Sequence, residues 1–277
     1  MAKLLISVDM EGVAGVASAA SLKPSGWEYG AYRRWMTNEL NAVAEAALEA
    51  GYDEVIAADG HGNSQNIDPD LLIDHVRLIR SWPRPLLQME GIDDPDVDAC
   101  AFVGYHAAAG TADSIFAHSF SGAALRSVRL NGVPASEGYF NAAVAGAYDK
   151  PILFVSGDQA TIDDAQLYAA GATFAVTKES IGFRSQASLP PAQTCQRLKT
   201  AAAGAFARRT VKPFKLDPPF VVDLEMVSLT AADLLSYLPG IERISPLTVR
   251  AEFPTMDGAM RFISFVIMYQ PDGQTPY

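Results

Sequence analysis

Apolar residues along this chain fall into short continuous runs, and the segments between the runs have helical spacing. Leu4–Val8 is apolar except for Ser7 and ends in polar residues, as expected of a strand buried on both faces of a parallel sheet. From Tyr29 to Ala50 the spacing changes. Trp35, Leu40, Val43, Ala47 and Leu48 approximate one apolar face of a helix, and Gly51 is placed to cap its C-terminus. Glu54–Ala58, Val76–Trp82, Ala99–Tyr105 and Pro151–Ser156 predict further strands, with a short one at Phe174–Thr177. Helices are predicted at Glu137–Ala147, at residues 160–170 and at Pro190–Arg209, the last opened by a Pro-Pro pair. Leu125–Ala135 contains Asn131-Gly132, a strong two-residue hairpin signal. Strands alternating with helices predict an α/β domain over residues 1–210, built on a doubly wound, mostly parallel sheet.

The pattern changes near Val211. Pro213, Pro218 and Pro219 punctuate a linker. Phe220–Glu225, Leu247–Phe253 and Arg261–Tyr269 then look like antiparallel strands around a short helix, Thr230–Tyr237. The expectation is a smaller α+β domain over residues 211–277 that serves oligomerisation or shapes a pocket.

Composition narrows the classes of function. With 277 residues, 49% of them hydrophobic, the chain can bury a substantial core. A net charge of -11 repels phosphate backbones and argues against a nucleic-acid partner. No apolar stretch approaches the roughly 20 residues of a membrane span, and the opening apolar run is too short for a signal peptide. Cys100 and Cys195 lie outside any CxxC pattern and read as reduced thiols of a cytoplasmic protein.

The candidate chemistry sits at strand ends. Asp9 and Glu11, two residues apart in an extended segment, point to the same side. Like charges held together need a proton or a cation between them, although a lone Asp-x-Glu is more often just solvated. His61 and His106 come immediately after the second and fourth predicted strands, and sites in doubly wound sheets form beyond the carboxyl ends of strands. Two carboxylates and two imidazoles on one sheet edge suit zinc, or another divalent ion such as manganese. Glu137 opens a helix, where an acid also favours the dipole. Asn141 shares its face one turn later and is a candidate substrate-binding residue. His118 lies in an apolar run and is a candidate for moving protons near neutral pH. His75 reads as surface. Glu90 and Asp93 read as a polar loop, and Asp158 as a helix N-cap.

Taken together, Ser7-Val8-Asp9-Met10-Glu11-Gly12, His61-Gly62, Met89-Glu90-Gly91-Ile92-Asp93, Gly104-Tyr105-His106-Ala107 and Glu137 with Asn141-Ala142 resemble the D-aminopeptidase family of zinc metallopeptidases associated with bacterial dipeptide-transport operons. The resemblance implies two zinc ions per subunit, with Asp9 bridging them. Glu11 and His61 complete one metal, His106 and Glu137 the other, and His118 is catalytic. It also implies a self-compartmentalising ring-like homo-oligomer, such as a decamer. The activity implied is removal of an N-terminal D-amino acid from short peptides or aminoacyl amides by a metal-bound hydroxide. His118 lies one residue further from His106 than the family pattern, and Ser136 stands where glycine is common. The rival readings are a metal-dependent phosphohydrolase, another small-amide hydrolase, and an inactive metal-binding homologue. Histidine counts against magnesium and hence against the phosphohydrolase.

Overall fold

The computed structural model describes residues 1–208 and 210–269. The end of the predicted fourth helix at Arg209 and the last residues of the expected C-terminal domain, 270–277, lie outside the described residues. Strands β1 (Lys3–Val8), β2 (Glu54–Asp59), β3 (Val76–Ile79), β4 (Val97–Tyr105), β7 (Ile152–Asp158) and β8 (Thr173–Gly182) form a parallel sheet. The antiparallel strand β9 (Ser185–Ser188) closes one edge, giving the order β3-β2-β1-β4-β7-β8-β9. Helices α1 (Tyr29–Glu49) and α4 (Pro191–Arg208) cover one face, and α2 (Glu137–Ala147) and α3 (Gln159–Ala165) the other. The sheet is therefore doubly wound. Connections run outward in opposite directions from β1 and β4, so the topological switch point lies between them, where such folds open a crevice.

Local chemistry explains the boundaries. Gly51 ends α1 at φ +92, and the amide of Tyr52 bonds back to Ala47 at 3.1 Å, a left-handed C-terminal stop. Asn131 and Gly132 both have positive φ between β5 (Leu125–Leu130) and β6 (Val133–Pro134), as a two-residue hairpin requires.

A second, five-stranded antiparallel sheet has the order β11-β12-β10-β5-β6. It adds β10 (Phe220–Met226), β11 (Ile241–Arg243) and β12 (Thr248–Phe253), with helix α5 (Leu229–Leu235) beside it. The β5–β6 hairpin pairs directly with β10, so this sheet takes strands from both sides of residue 210. One expected strand is a helix: Arg261–Tyr269 falls largely in α6 (Met256–Met268). Its β-branched and aromatic residues mimic a strand, but the buried positions Met256, Ala259, Met260 and Ile263 have the i, i+3, i+4, i+7 spacing of a helix face. Thr255 caps its start, accepting from the amide of Gly258 at 3.2 Å.

Candidate metal centre

At the switch point the backbones just beyond β1 and at the end of β4 come into direct contact. Gly12 donates its amide to the Gly104 carbonyl at 2.8 Å. A Cβ on Gly104, which has φ +69, would meet the Asp9 carbonyl at 2.3 Å, and one on Gly12 would meet the Tyr105 carbonyl at 2.0 Å. Only glycine permits this approach, which brings the residues after β1 against those after β4.

Asp9, Glu11, His61, His106 and Glu137 converge there, none more than 8% exposed. His61 Nδ1 lies 2.9 Å from Glu11 Oε2 and 3.5 Å from Asp9 Oδ1. His106 Nε2 lies 3.2 Å from Glu137 Oε1 and 3.5 Å from Asp9 Oδ2. Asp9 thus presents one oxygen to each histidine. His118 joins the second group, with Nε2 3.6 Å from Glu137 Oε1 and its ring stacked on that of His106 at 4.1 Å. Two trios of ligand atoms result, Asp9–Glu11–His61 and His106–His118–Glu137, each gathered within 4.8 Å. His75 is exposed and lies outside both.

The electrostatics are those of crowded buried charge. Burial opposes ionisation of Asp9, yet the imidazoles of His106 and His61 beside it hold its carboxyl well below the usual range. Glu137 is likewise lowered because His106 outweighs its burial. Burial would favour neutral imidazoles, but Glu11 pushes His61 well above its ordinary value and Glu137 does the same to His106. Asp9 and Glu137 therefore depend on a positive neighbour, a demand that divalent cations also meet.

The donor set fits such ions on three further counts. His61 Nε2 bonds to the Leu22 carbonyl at 2.9 Å and His106 Nδ1 to the Ala107 carbonyl at 3.1 Å. Each ring thus turns its other nitrogen inward, the arrangement that orients metal-binding imidazoles. His106 Nε2 is buried without a hydrogen-bond partner, which is costly for a polar atom that binds nothing. Nitrogen and carboxylate donors together suit zinc.

Other residues support the cluster, some of them unmarked in the sequence. Gln88, buried in a short turn after Leu87 (φ +48), donates from Nε2 to Asp9 and to Glu137. Its own carbonyl accepts from Asn141 at 2.5 Å, and Asn141 also donates to the Tyr105 hydroxyl at 2.9 Å. Asn141 is fully buried, so it stands behind Gln88 and not on the pocket wall. Glu90 accepts the amide of Leu86 within the same turn. Asp158 caps α3 through the Thr161 amide, and its second oxygen accepts from Ser114 and the Ile115 amide at 2.8 and 2.7 Å. It thereby anchors the loop that carries His118. Glu137 takes its place because Ser136 caps α2, and Glu137 Oε1 accepts the Phe120 amide at 2.7 Å. The periodic signals of strands and helices carry no mark of Gln88. Asp158 does carry one, an acid at a strand end.

A cavity of about 350 Å³ opens over the cluster, with Phe116, Phe120, Phe183, Lys23 and Arg184 among its walls.

A buried nitrogen–carboxylate cluster at the switch point of a doubly wound sheet defines a metallohydrolase-type centre, and residues 2–265 match the D-aminopeptidase family. The chain belongs to that family. It is 31% identical over 269 residues to a D-aminopeptidase of Bacillus subtilis (strain 168), covering 96% of each protein. It also resembles the solved Zn-dependent D-aminopeptidase DppA from Bacillus subtilis, a self-compartmentalizing protease. That likeness has a TM-score of 0.90 at 30% identity and covers 95% of this chain and 96% of the other.

Proposed function

We propose that this chain is a two-zinc aminopeptidase that removes the N-terminal residue, of D configuration, from short peptides or aminoacyl amides. The observation that carries this reading is the pair of buried ligand trios at the switch point, in a chain of the D-aminopeptidase family. Asp9 turns one carboxylate oxygen to each histidine and would help hold zinc with both. Glu11 and His61 serve one position, His106 and Glu137 the other. Bound zinc supplies Lewis acidity toward the scissile carbonyl and a water whose pKa falls to about 7. Gln88 fixes the carboxylates of Asp9 and Glu137 relative to one another, and Asn141 fixes Gln88.

His118 has its Nδ1 against the Phe116 carbonyl at 2.8 Å and its side chain is 27% exposed beside the cavity. Its Nε2 is free to protonate the leaving amine or to donate to a developing oxyanion. That nitrogen also belongs to the second trio. A His118→Ala protein that loses metal, and not turnover alone, would move His118 into the ligand set. We further propose that the chain forms a ring-like homo-oligomer of decamer type. The self-compartmentalizing relative supports this, as do the exposed apolar side chains Leu229, Leu234 and Tyr237 in and just beyond α5.

The test is a panel of matched D- and L-aminoacyl amides and dipeptides with and without a chelator. Turnover confined to D substrates, abolished by chelation and restored by zinc, is expected. Turnover that survives chelation, or phosphate-ester hydrolysis with magnesium alone, would overturn the reading.

A further inference from the structure

Two buried residues of β8 grip the chain just beyond β1. Lys178, 2% exposed in the interior, donates its ammonium to the backbone carbonyls of Glu11, Val13 and Val16, the last two at 3.0 and 2.8 Å. Its neighbour Thr177 places its hydroxyl 2.5 Å from the Gly12 carbonyl, the nearer acceptor for its one proton, and 2.9 Å from the Gly157 carbonyl. From the helix side, Glu39 of α1 accepts the Ala14 amide at 2.9 Å. Four carbonyls and one amide between residues 11 and 16 are thus held by three buried side chains, and none of these bonds reaches His106, His118 or Glu137.

A buried ammonium is tolerated only where its donors are satisfied, and here all the acceptors belong to one loop. That loop carries Glu11, whose carboxylate meets His61 at 2.9 Å. Segments with unpaired carbonyls move toward other donors, and a metal ligand must be held to within about 0.5 Å to serve.

We propose that Lys178, seconded by Thr177, is a positioning residue for the Asp9–Glu11–His61 half of the metal centre. It fixes the backbone from Glu11 to Val16 so that the Glu11 carboxylate stays on His61. This inference rests on the reading that the trio holds a zinc ion.

The experiment titrates zinc into chelator-stripped full-length protein and reads affinity and stoichiometry, using His106→Ala and His61→Ala backgrounds to isolate each half. Lys178→Met keeps the length of the side chain and removes the donor. It is expected to weaken zinc binding at least tenfold in the His106→Ala background and by less than twofold in the His61→Ala background. Thr177→Val, which removes one bond, should give a smaller loss in the same background only. If Lys178→Met does not fold, as judged by circular dichroism, the selectivity of Thr177→Val decides. Equal weakening of both halves would reduce Lys178 to a general structural residue, and no weakening of either would remove its role; both overturn the proposal. The fate of the functional reading is separate: wild-type protein that binds zinc but cleaves no peptide defeats the aminopeptidase and leaves this inference standing. If wild-type protein takes a single ion, the two-zinc reading fails, and the two backgrounds still show which trio Lys178 serves.

Discussion

The two sheets of this molecule handle burial in opposite ways. In the parallel sheet every residue of β1 and β7 is buried, because helices lie on both faces. In the antiparallel sheet β5 and β12 mix buried with open positions, so one face stays wet. A sheet covered on both sides can offer functional groups only at its ends, and there Asp9, Glu11, His61 and His106 collect. The second sheet offers surface, with Leu229 and Leu234 of α5 exposed beside it. Position within a layer thus separates chemistry from contact: the rim of the first sheet has the reactive groups, and the flank of the second has the sticky ones.

Substitutions test that division. The largest effect is expected from Asp9→Ala or His106→Ala, which should lower kcat/KM by about 10⁴-fold or more, over 5 kcal/mol of transition-state stabilisation. Metal content should fall with it. Activity within tenfold of wild type would break the assignment of chemistry to this rim. His118→Ala should retain metal and lose about 10²–10⁴-fold in kcat, measured under saturating substrate. Leu224→Ala, in the buried face of β10, should destabilise the fold by about 2–5 kcal/mol in urea unfolding, while kcat/KM per folded molecule stays near wild type. A comparable loss of kcat/KM would show that the second sheet takes part in catalysis.

The smallest effect concerns Glu39, whose burial pushes its carboxyl up to about 7 from 4.5. The folded state holds this proton more tightly than the unfolded chain. The ionisation penalty is therefore absent below about pH 4.5, grows through the window to about pH 7 and is complete above it. Glu39→Gln keeps an oxygen for the Ala14 amide and should raise stability at pH 8 by about 1–2 kcal/mol, with little change at pH 4.5. Equal gains at both pH values would rule out ionisation as the cause.

The strand-end ligands are legible in the sequence because a fixed rule links them to the fold: an apolar run ends, and the next polar side chains project from the sheet edge. Asp9, Glu11, His61 and His106 obey it. Glu137 needs the family resemblance, since an acid opening a helix is ordinary. Gln88 obeys no periodic rule; it is aimed by one turn containing a left-handed Leu87. Lys178 is hidden for a different reason. The predicted strand stops at Thr177, before this charged residue, whereas β8 runs on to Gly182 and β9 pairs with it. Helix α6 is obscured by side chains of strand-like type, and its true period emerges only from which positions the second sheet and α2 cover. The Asn131-Gly132 turn marks the middle hairpin itself, but nothing local marks its pairing with β10 in the later sheet.

The contact between Gly12 and Gly104 has an evolutionary consequence. The gap between the two halves of the cluster is gauged by a pair of hydrogen atoms, so even one methyl group acts as a wedge. Any library of active variants should therefore be monochrome at these two sites. Gly204, in α4 with nothing within 4 Å of an added Cβ, should accept alanine freely and gain about 0.5–1 kcal/mol of helix preference. Mutational tolerance in this protein would then track crowding, and the glycine count alone would say nothing about it.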